Sequence, residues 1–204
     1  NDQTLLRSSC VDLVRSMNCA EESKEDTSLV EDIQGGLNKR TLTFPYKEGD
    51  TKISAAGRKI IDLPAQSPNQ HWTKSMVASP DGLLYIGVGS NSNIGENGLE
   101  RERNRAVVFE VNPRNGYKRV FASGLRNPVG LAFEPKSGAL WGVVNERDML
   151  GADLVPDYLT RIEFGAFYGW PWNYWGGYED RRVQPQRPEI REYTKRPDYA
   201  LGNH

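Results

Sequence analysis

The stretch Asn69-Gln70-His71-Trp72-Thr73-Lys74 carries one of only two histidines in the chain, the other being His204. An imidazole with an unperturbed pKa of about 6.5 is largely neutral at physiological pH and can accept a proton from a hydroxyl, an ability it loses in acid. His71 is therefore a candidate general base, and a histidine kept for structure is the alternative. A second group sits in Gly124-Leu125-Arg126-Asn127-Pro128, where a planar guanidinium with five donors adjoins an amide. Such a fork suits the polarisation of a carbonyl or quinone oxygen and the stabilisation of charge developing on it. An ion pair between neighbouring structural units accounts for Arg126 equally well. The loop from Asn145-Glu146-Arg147-Asp148 to Asp153 is rich in the oxygen donors that Ca2+ takes, though its spacing is not that of an EF-hand and a solvated acidic loop is the simpler reading.

These groups need a frame, and the apolar pattern supplies one. Ala106 to Val111 is a β-prone run that ends at Asn112-Pro113-Arg114-Asn115-Gly116, and Tyr117 to Ala122 follows, which predicts a hairpin. A similar pair is expected on either side of Lys47-Glu48-Gly49-Asp50, with Leu42 to Tyr46 before it and a strand ending near Leu63 after it. Met76 to Tyr85, with its Ser79-Pro80-Asp81-Gly82 turn, is echoed by Gly130 to Trp141, at an offset of 54 residues between Ala78 and Ala132. That period is close to the ~40 to 50 residues of a four-stranded propeller blade, two unrelated hairpins being the alternative. His71 and Arg126 each precede the first strand of a repeat, so both are expected to face one axial pocket. Gly87-Val88-Gly89-Ser90-Asn91-Ser92-Asn93 lacks the third glycine of a dinucleotide loop and reads as a polar inter-strand loop with Asn91 and Asn93 available for hydrogen bonds. Seven aromatics between Phe167 and Tyr178 could sandwich a flat ligand or fill a core.

Composition narrows the function classes. Lysine plus arginine (26) nearly balances aspartate plus glutamate (27), so no net field favours nucleic acid or an anionic membrane, and a small neutral ligand fits better. No apolar run approaches the ~18 to 20 residues of a membrane span, and the first residues lack the order of a signal peptide. Residues 1–38 form a polar segment apart from the rest, with Leu6, Cys10, Leu13, Val14 and Met17 at helical spacing. On such a helix Cys10 and Cys19 lie on opposite faces about 13 Å apart, too far for a disulfide.

From Leu42 to His204 the sequence resembles the soluble pyrroloquinoline quinone-dependent glucose/sorbosone dehydrogenase superfamily, most closely its L-sorbosone dehydrogenase branch. The resemblance rests on Phe44-Pro45-Tyr46-Lys47 through Gly49-Asp50-Thr51-Lys52, His71-Trp72-Thr73-Lys74, Ser79-Pro80-Asp81-Gly82, Val88-Gly89-Ser90-Asn91-Ser92-Asn93, Gly124 to Pro128, Val144-Asn145-Glu146-Arg147-Asp148, Tyr168-Gly169-Trp170-Pro171 and Pro197 to His204. It implies an all-β, partial β-propeller over residues 39–204, about three blades of a six-bladed ring. The implied activity is oxidation of a sugar or sugar-derived aldehyde, with hydride passing to pyrroloquinoline quinone and on to a dye, quinone or cytochrome acceptor. His71 would be the base and Arg126 the cofactor-polarising group, with Asn127, Asn203 and His204 also contacting the cofactor. Gln70, Trp72 and Asn91 would meet the substrate, and Ca2+ would be held largely by backbone carbonyls of Glu146, Arg147 and Asp148. Two departures bear on specificity and on the metal: the glucose-oxidising branch has Gly-Pro where Arg147-Asp148 stand, and aspartate where Gln70 stands. The family implies a periplasmic or secreted setting, and the chain is expected to be an incomplete piece whose last residues add no strand. A non-catalytic propeller binding carbohydrate or protein is the rival reading.

Overall fold

The computed structural model describes residues 27–31, 40–72 and 74–204. Three antiparallel sheets and one short ribbon make up the described chain. The first sheet joins β1 (Thr27–Glu31), β2 (Arg40–Pro45) and β3 (Arg58–Asp62) in sequence order. The second is a meander of β4 (Lys74–Ala78), β5 (Leu84–Val88), β6 (Val107–Val111) and β7 (Lys118–Ser123). The third runs β8 (Asn127–Phe133), β9 (Leu140–Asn145), β10 (Tyr158–Arg161), with β13 (Tyr199–Ala200) on its outer edge. The ribbon is β11 (Asn173–Tyr174) with β12 (Tyr178–Glu179).

Strand periodicity explains how the sheets stack. Side chains alternate along a strand, so a strand covered on both faces is apolar throughout. β5 is buried at all five positions. Its Leu84, Ile86 and Val88 join Val107, Phe109 and Val111 of β6 against Ile60 and Ile61 of β3 and Leu63 just beyond it. The opposite face, with Tyr85 and Val108, packs on Leu140, Val144, Tyr158 and Ile162 of the third sheet. Two cores thus flank one central sheet, the layering expected of successive propeller blades. Gly87 permits the close approach: a Cβ there would lie 2.8 Å from the Pro128 carbonyl oxygen of β8.

Both hairpins read from the sequence are present, β2–β3 and β6–β7, and the repeated segments become β4–β5 and β8–β9. The Asn112 turn closes by Gly116 N–H donating to the Asn112 carbonyl at 2.9 Å. Two differences stand out. Residues 27–31, grouped by the sequence reading with the unassigned N-terminal segment, form β1 and pair with β2 in register Thr27 to Pro45. The stretch from Pro197 to His204, expected to add no strand, supplies β13, pairing Tyr199 with Leu159 and Ala200 with Tyr158. A two-residue pairing is too short to show a period of two in sequence. The helix expected over Leu6 to Met17, and both cysteines, lie outside the described residues.

Candidate functional site

The loops that precede the inner strands β4 and β8 meet over the loop that leaves β5. His71 stands three residues before β4, and Arg126 stands one residue before β8. The Ser90 N–H donates to the Arg126 carbonyl at 2.7 Å, which ties the end of β5 to the start of β8. Between the two sits Gly89, where a Cβ would fall 2.5 Å from His71 Cβ and 2.4 Å from Asn127 Oδ1. Only glycine lets the imidazole and the amide close in from both sides. Asn127 Oδ1 is buried there without a hydrogen-bond partner.

His71 Nδ1 lies 2.8 Å from Ser90 Oγ and 3.1 Å from the Ser90 carbonyl oxygen. Burial, reinforced by the positive charge of Arg126, lowers its pKa to about 4. It is neutral well into the acid range, where an unperturbed histidine would already be protonated. Beneath it, Arg105 is 3% exposed and acts as a clamp. Its Nε donates to the Gly89 carbonyl at 3.0 Å, and its Nη2 donates to Asn69 Oδ1, to the Ser90 carbonyl at 3.1 Å and to the His71 carbonyl at 3.3 Å.

Arg126 is 2% exposed, and all five of its N–H donors are engaged by the protein. Nε gives to the Asn93 carbonyl at 3.2 Å, Nη1 to the carbonyls of Asn145 (3.3 Å) and Glu146, and Nη2 to Asn93 Oδ1 and Asp148 Oδ2, each at 2.8 Å. Burial works against its charge, and Asp148 and Glu146 offset that penalty. Asn93 is the hub on the other side, since its side-chain oxygen also accepts the Asp148 N–H at 3.0 Å and its carbonyl accepts Trp170 Nε1–H at 2.9 Å.

The loop of Glu146, Arg147 and Asp148 comes to the same place, held by this clamp. Glu146 N–H donates to Asp157 Oδ1 at 2.8 Å. The Glu146 carboxyl is buried, which raises its pKa to about 7 against the opposing pull of the Arg147 N–H and Arg126. The Arg147 side chain turns away to Asp180, with Nε 2.9 Å from Oδ2 and both side chains 2% exposed. That contact is off the N–H axis, so the pair is an ion pair without a directed hydrogen bond.

The remaining sequence candidates are placed differently. Gln70 and Trp72 are exposed beside His71. Asn91 is 1% exposed and spends its side chain on the loop itself: Nδ2 donates to the carbonyls of Gln66 and Pro68, and Oδ1 accepts from Asn97 Nδ2 at 3.0 Å. This engagement corrects the expectation that Asn91 is available to a substrate. Asn203 Nδ2 donates to the Ala152 carbonyl at 2.7 Å, while His204 Nδ1 lies 3.0 Å from both Asp157 oxygens. Of the seven aromatics from Phe167 to Tyr178, Tyr168 and Trp170 are buried in the core and Tyr178 is exposed. Sequence reasoning did not single out Ser90, Glu102 or Arg105, the last two lying in the charged run Leu99 to Arg105, where nothing local marks a buried residue.

Two clefts of about 450 and 470 Å3 open elsewhere, one lined by Tyr85, Phe121, Phe133 and Ile162, the other by Tyr174, Tyr178, Asp180 and Arg191. Neither includes His71 or Arg126, and the candidate site is defined by its convergent polar groups. The chemistry present suits an anionic quinone through the buried guanidinium charge of Arg126 and Arg105, whereas the unpartnered Asn127 Oδ1 is an acceptor that suits a ring N–H. Ca2+ suits it less. The Glu146 carbonyl, one of its expected ligands, and the Asp148 carboxylate are turned to Arg126.

The sequence model of the family described as Glucose / Sorbosone dehydrogenase matches residues 27–201. Aldose sugar dehydrogenase YliI of Escherichia coli (strain K12) is 28% identical over 160 residues, which span 72% of this chain and 42% of that protein. Among solved structures, a calcium structure of Trichoderma reesei Carbohydrate-Active Enzymes Family AA12 is similar with a TM-score of 0.70 at 15% identity, over 87% of this chain and 53% of the other. The PQQ-bound form of aldose sugar dehydrogenase from Streptomyces coelicolor is similar with a TM-score of 0.62 at 17% identity, over 90% of this chain and 52% of the other. The chain thus spans about half the length of these relatives, and it shares their fold.

Proposed function

Since the chain belongs to the glucose/sorbosone dehydrogenase family, we propose that the protein it represents oxidises an aldose or a sugar-derived aldehyde hydrate of the sorbosone kind, with His71 as general base. The observation that carries this reading is the convergence of His71, Asn127 and Arg126, from the ends of two inner strands, on the loop that starts at Gly89. When bound, pyrroloquinoline quinone supplies the two-electron acceptor, which an external dye, quinone or cytochrome would reoxidise. His71, neutral because buried, takes the substrate hydroxyl proton on Nε2 as the adjacent carbon gives up its hydrogen with both electrons. Asn127 offers an amide to the bound ring. Arg126 acts by its charge, because its N–H groups are already committed, and a fixed positive charge in a buried site stabilises a developing oxyanion without reorganisation. Exposed Trp72 and Gln70 would meet the sugar. No step of the proposed reaction runs through a metal.

The saturation of Arg126 favours a second reading of that residue alone, as a structural clamp between sheets. The decisive experiment uses the full-length protein with and without added pyrroloquinoline quinone, following reduction of a dye by aldoses and by sorbosone. Cofactor-dependent turnover is expected, and His71→Asn should lower it by ~10² to 10⁴-fold with folding and cofactor uptake retained. Absence of cofactor uptake and of dye reduction would turn the assignment to the non-catalytic binding module. Retention by His71→Asn of more than about a tenth of the wild-type rate, well short of a lost general base, would remove His71 from the chemistry.

A further inference from the structure

His71 and Arg126 belong to different sheets, yet one short turn touches both. We infer that the Ser90–Asn93 turn, locked by the buried carboxylate of Glu102, is the positioning element that keeps the His71 proton on Nδ1, leaves Nε2 bare, and holds Arg126 in the same frame. This deepens the proposal above and rests on His71 as its base.

Ser90 Oγ–H has one hydrogen, and it points to the Ser92 carbonyl at 2.6 Å, a group that can only accept. What Ser90 Oγ then turns toward His71 Nδ1 at 2.8 Å is a lone pair. The Ser90 carbonyl at 3.1 Å offers Nδ1 another lone pair. Two acceptors facing one ring nitrogen require that nitrogen to carry the proton, and a neutral imidazole has only one to place. Nε2 is therefore the acceptor, the state a base must be in before it works.

Glu102 holds the turn in this arrangement. It closes the short 3-10 turn Leu99–Glu102 and is 9% exposed. Its Oε2 accepts the Asn91 N–H at 2.7 Å and its Oε1 accepts the Ser92 hydroxyl at 2.5 Å. The Ser92 peptide so fixed is the one whose carbonyl orients the Ser90 hydroxyl. One residue further, Asn93 presents its carbonyl and amide oxygens to Arg126. A single carboxylate thereby reaches His71 through Ser92 and Ser90, and Arg126 through Asn93, without touching either. Glu102 and Ser90 are positioning residues.

The chain has two histidines, so its tautomers can be read directly by long-range proton–nitrogen spectra of protein labelled with 15N-histidine, with His204→Gln assigning the second ring. At pH 7 the His71 ring should show a protonated Nδ1 and a bare Nε2. Ser90→Ala, which leaves the Ser90 carbonyl as the one acceptor on Nδ1, should shift part of the ring population toward the Nε2-protonated form, Glu102→Ala, which releases the turn, should shift it further, and Ser90→Thr and Glu102→Gln, which keep an acceptor in place, should restore most of the wild-type pattern. A wild-type ring protonated on Nε2 overturns the inference even if every variant fails to fold. So does an unchanged Nδ1–H pattern in folded Ser90→Ala and Glu102→Ala. The turnover of His71→Asn is a separate measurement: normal activity there, with the tautomer as expected, rejects the base and leaves the positioning intact.

Discussion

Replacing Arg126 by Lys keeps the charge and removes the fork, and its cost follows from the acceptors. Five guanidinium N–H groups serve the Asn93 carbonyl and amide oxygen, the Asn145 and Glu146 carbonyls, and Asp148. An ammonium has three hydrogens, so at least two acceptors lose their donor. Asp148 has a side chain 47% exposed and can turn to water. Glu146, at 2% exposed, cannot, and an unsatisfied buried polar group costs about 1 to 3 kcal/mol. With the shorter stem leaving part of the guanidinium volume unfilled, Arg126→Lys should destabilise the fold by about 2 to 4 kcal/mol. Arg126→Met should cost no less, because it also strips the charge facing Glu146 and Asp148. Urea unfolding at pH 7, followed by tryptophan fluorescence, measures both. A shift below about 0.5 kcal/mol in both variants, the range of an ordinary surface substitution, would refute the view that this clamp holds the loops of two sheets together.

Three further outcomes are expected. Because the folded pKa of His71 is depressed to about 4, the unfolded imidazole takes up its proton from about pH 6.5 downward while the folded one does not. Stability from this group should thus be flat above that pH and fall between about 6.5 and 4, by at most about 3.5 kcal/mol at ~1.4 kcal/mol per unit. Urea unfolding at pH 7 and 4.5 should show a steeper loss in wild type than in His71→Asn, and parallel losses would contradict the depressed pKa. The acid limb of turnover should likewise lie near 4 rather than near the 6.5 of an unperturbed histidine. Gly89→Ala would place a methyl 2.4 Å from Asn127 Oδ1 and 2.5 Å from His71 Cβ, so a cost of about 1 to 3 kcal/mol and a displaced His71 resonance are expected; a neutral Ala variant would show that the two side chains have room to spare. Arg147→Ala, which leaves Asp180 buried without its charge partner, should cost about 3 to 5 kcal/mol by thermal or urea unfolding, whereas Arg147→Met with Asp180→Leu should restore most of the loss.

Much of the fold was legible because its determinants are local. The β6–β7 hairpin is announced by Val107 to Val111 and the Asn112 turn, and the stacking of sheets by the 54-residue echo between Ala78 and Ala132. His71 and Arg126 could be picked out because each precedes an inner strand. The short strand β13 and the inclusion of β1 in the first sheet were not legible, since pairing partners lie far along the chain and a brief pairing leaves no period to read.

The residues around the site divide in the same way. Histidine at position 71, guanidinium at 126 and glycine at 89 are chemical identities, and the sequence by itself determined which proton acceptors, charges and gaps were available. Which of them remain free was decided only by tertiary structure. Asn91 and Arg126 both looked open to a ligand, and both are consumed by partners on other segments, with Asn91 giving to Pro68 and Arg126 to Glu146. Glu102 and Arg105, lost in a charged run, turn out to be buried beneath the loop they hold. The reason is physical: a strand's period reports its own burial, but hydrogen-bond saturation depends on carbonyls brought from 20 residues away in the case of Glu146 to Arg126, or 77 in the case of Trp170 to Asn93, and no local pattern encodes where those acceptors will be.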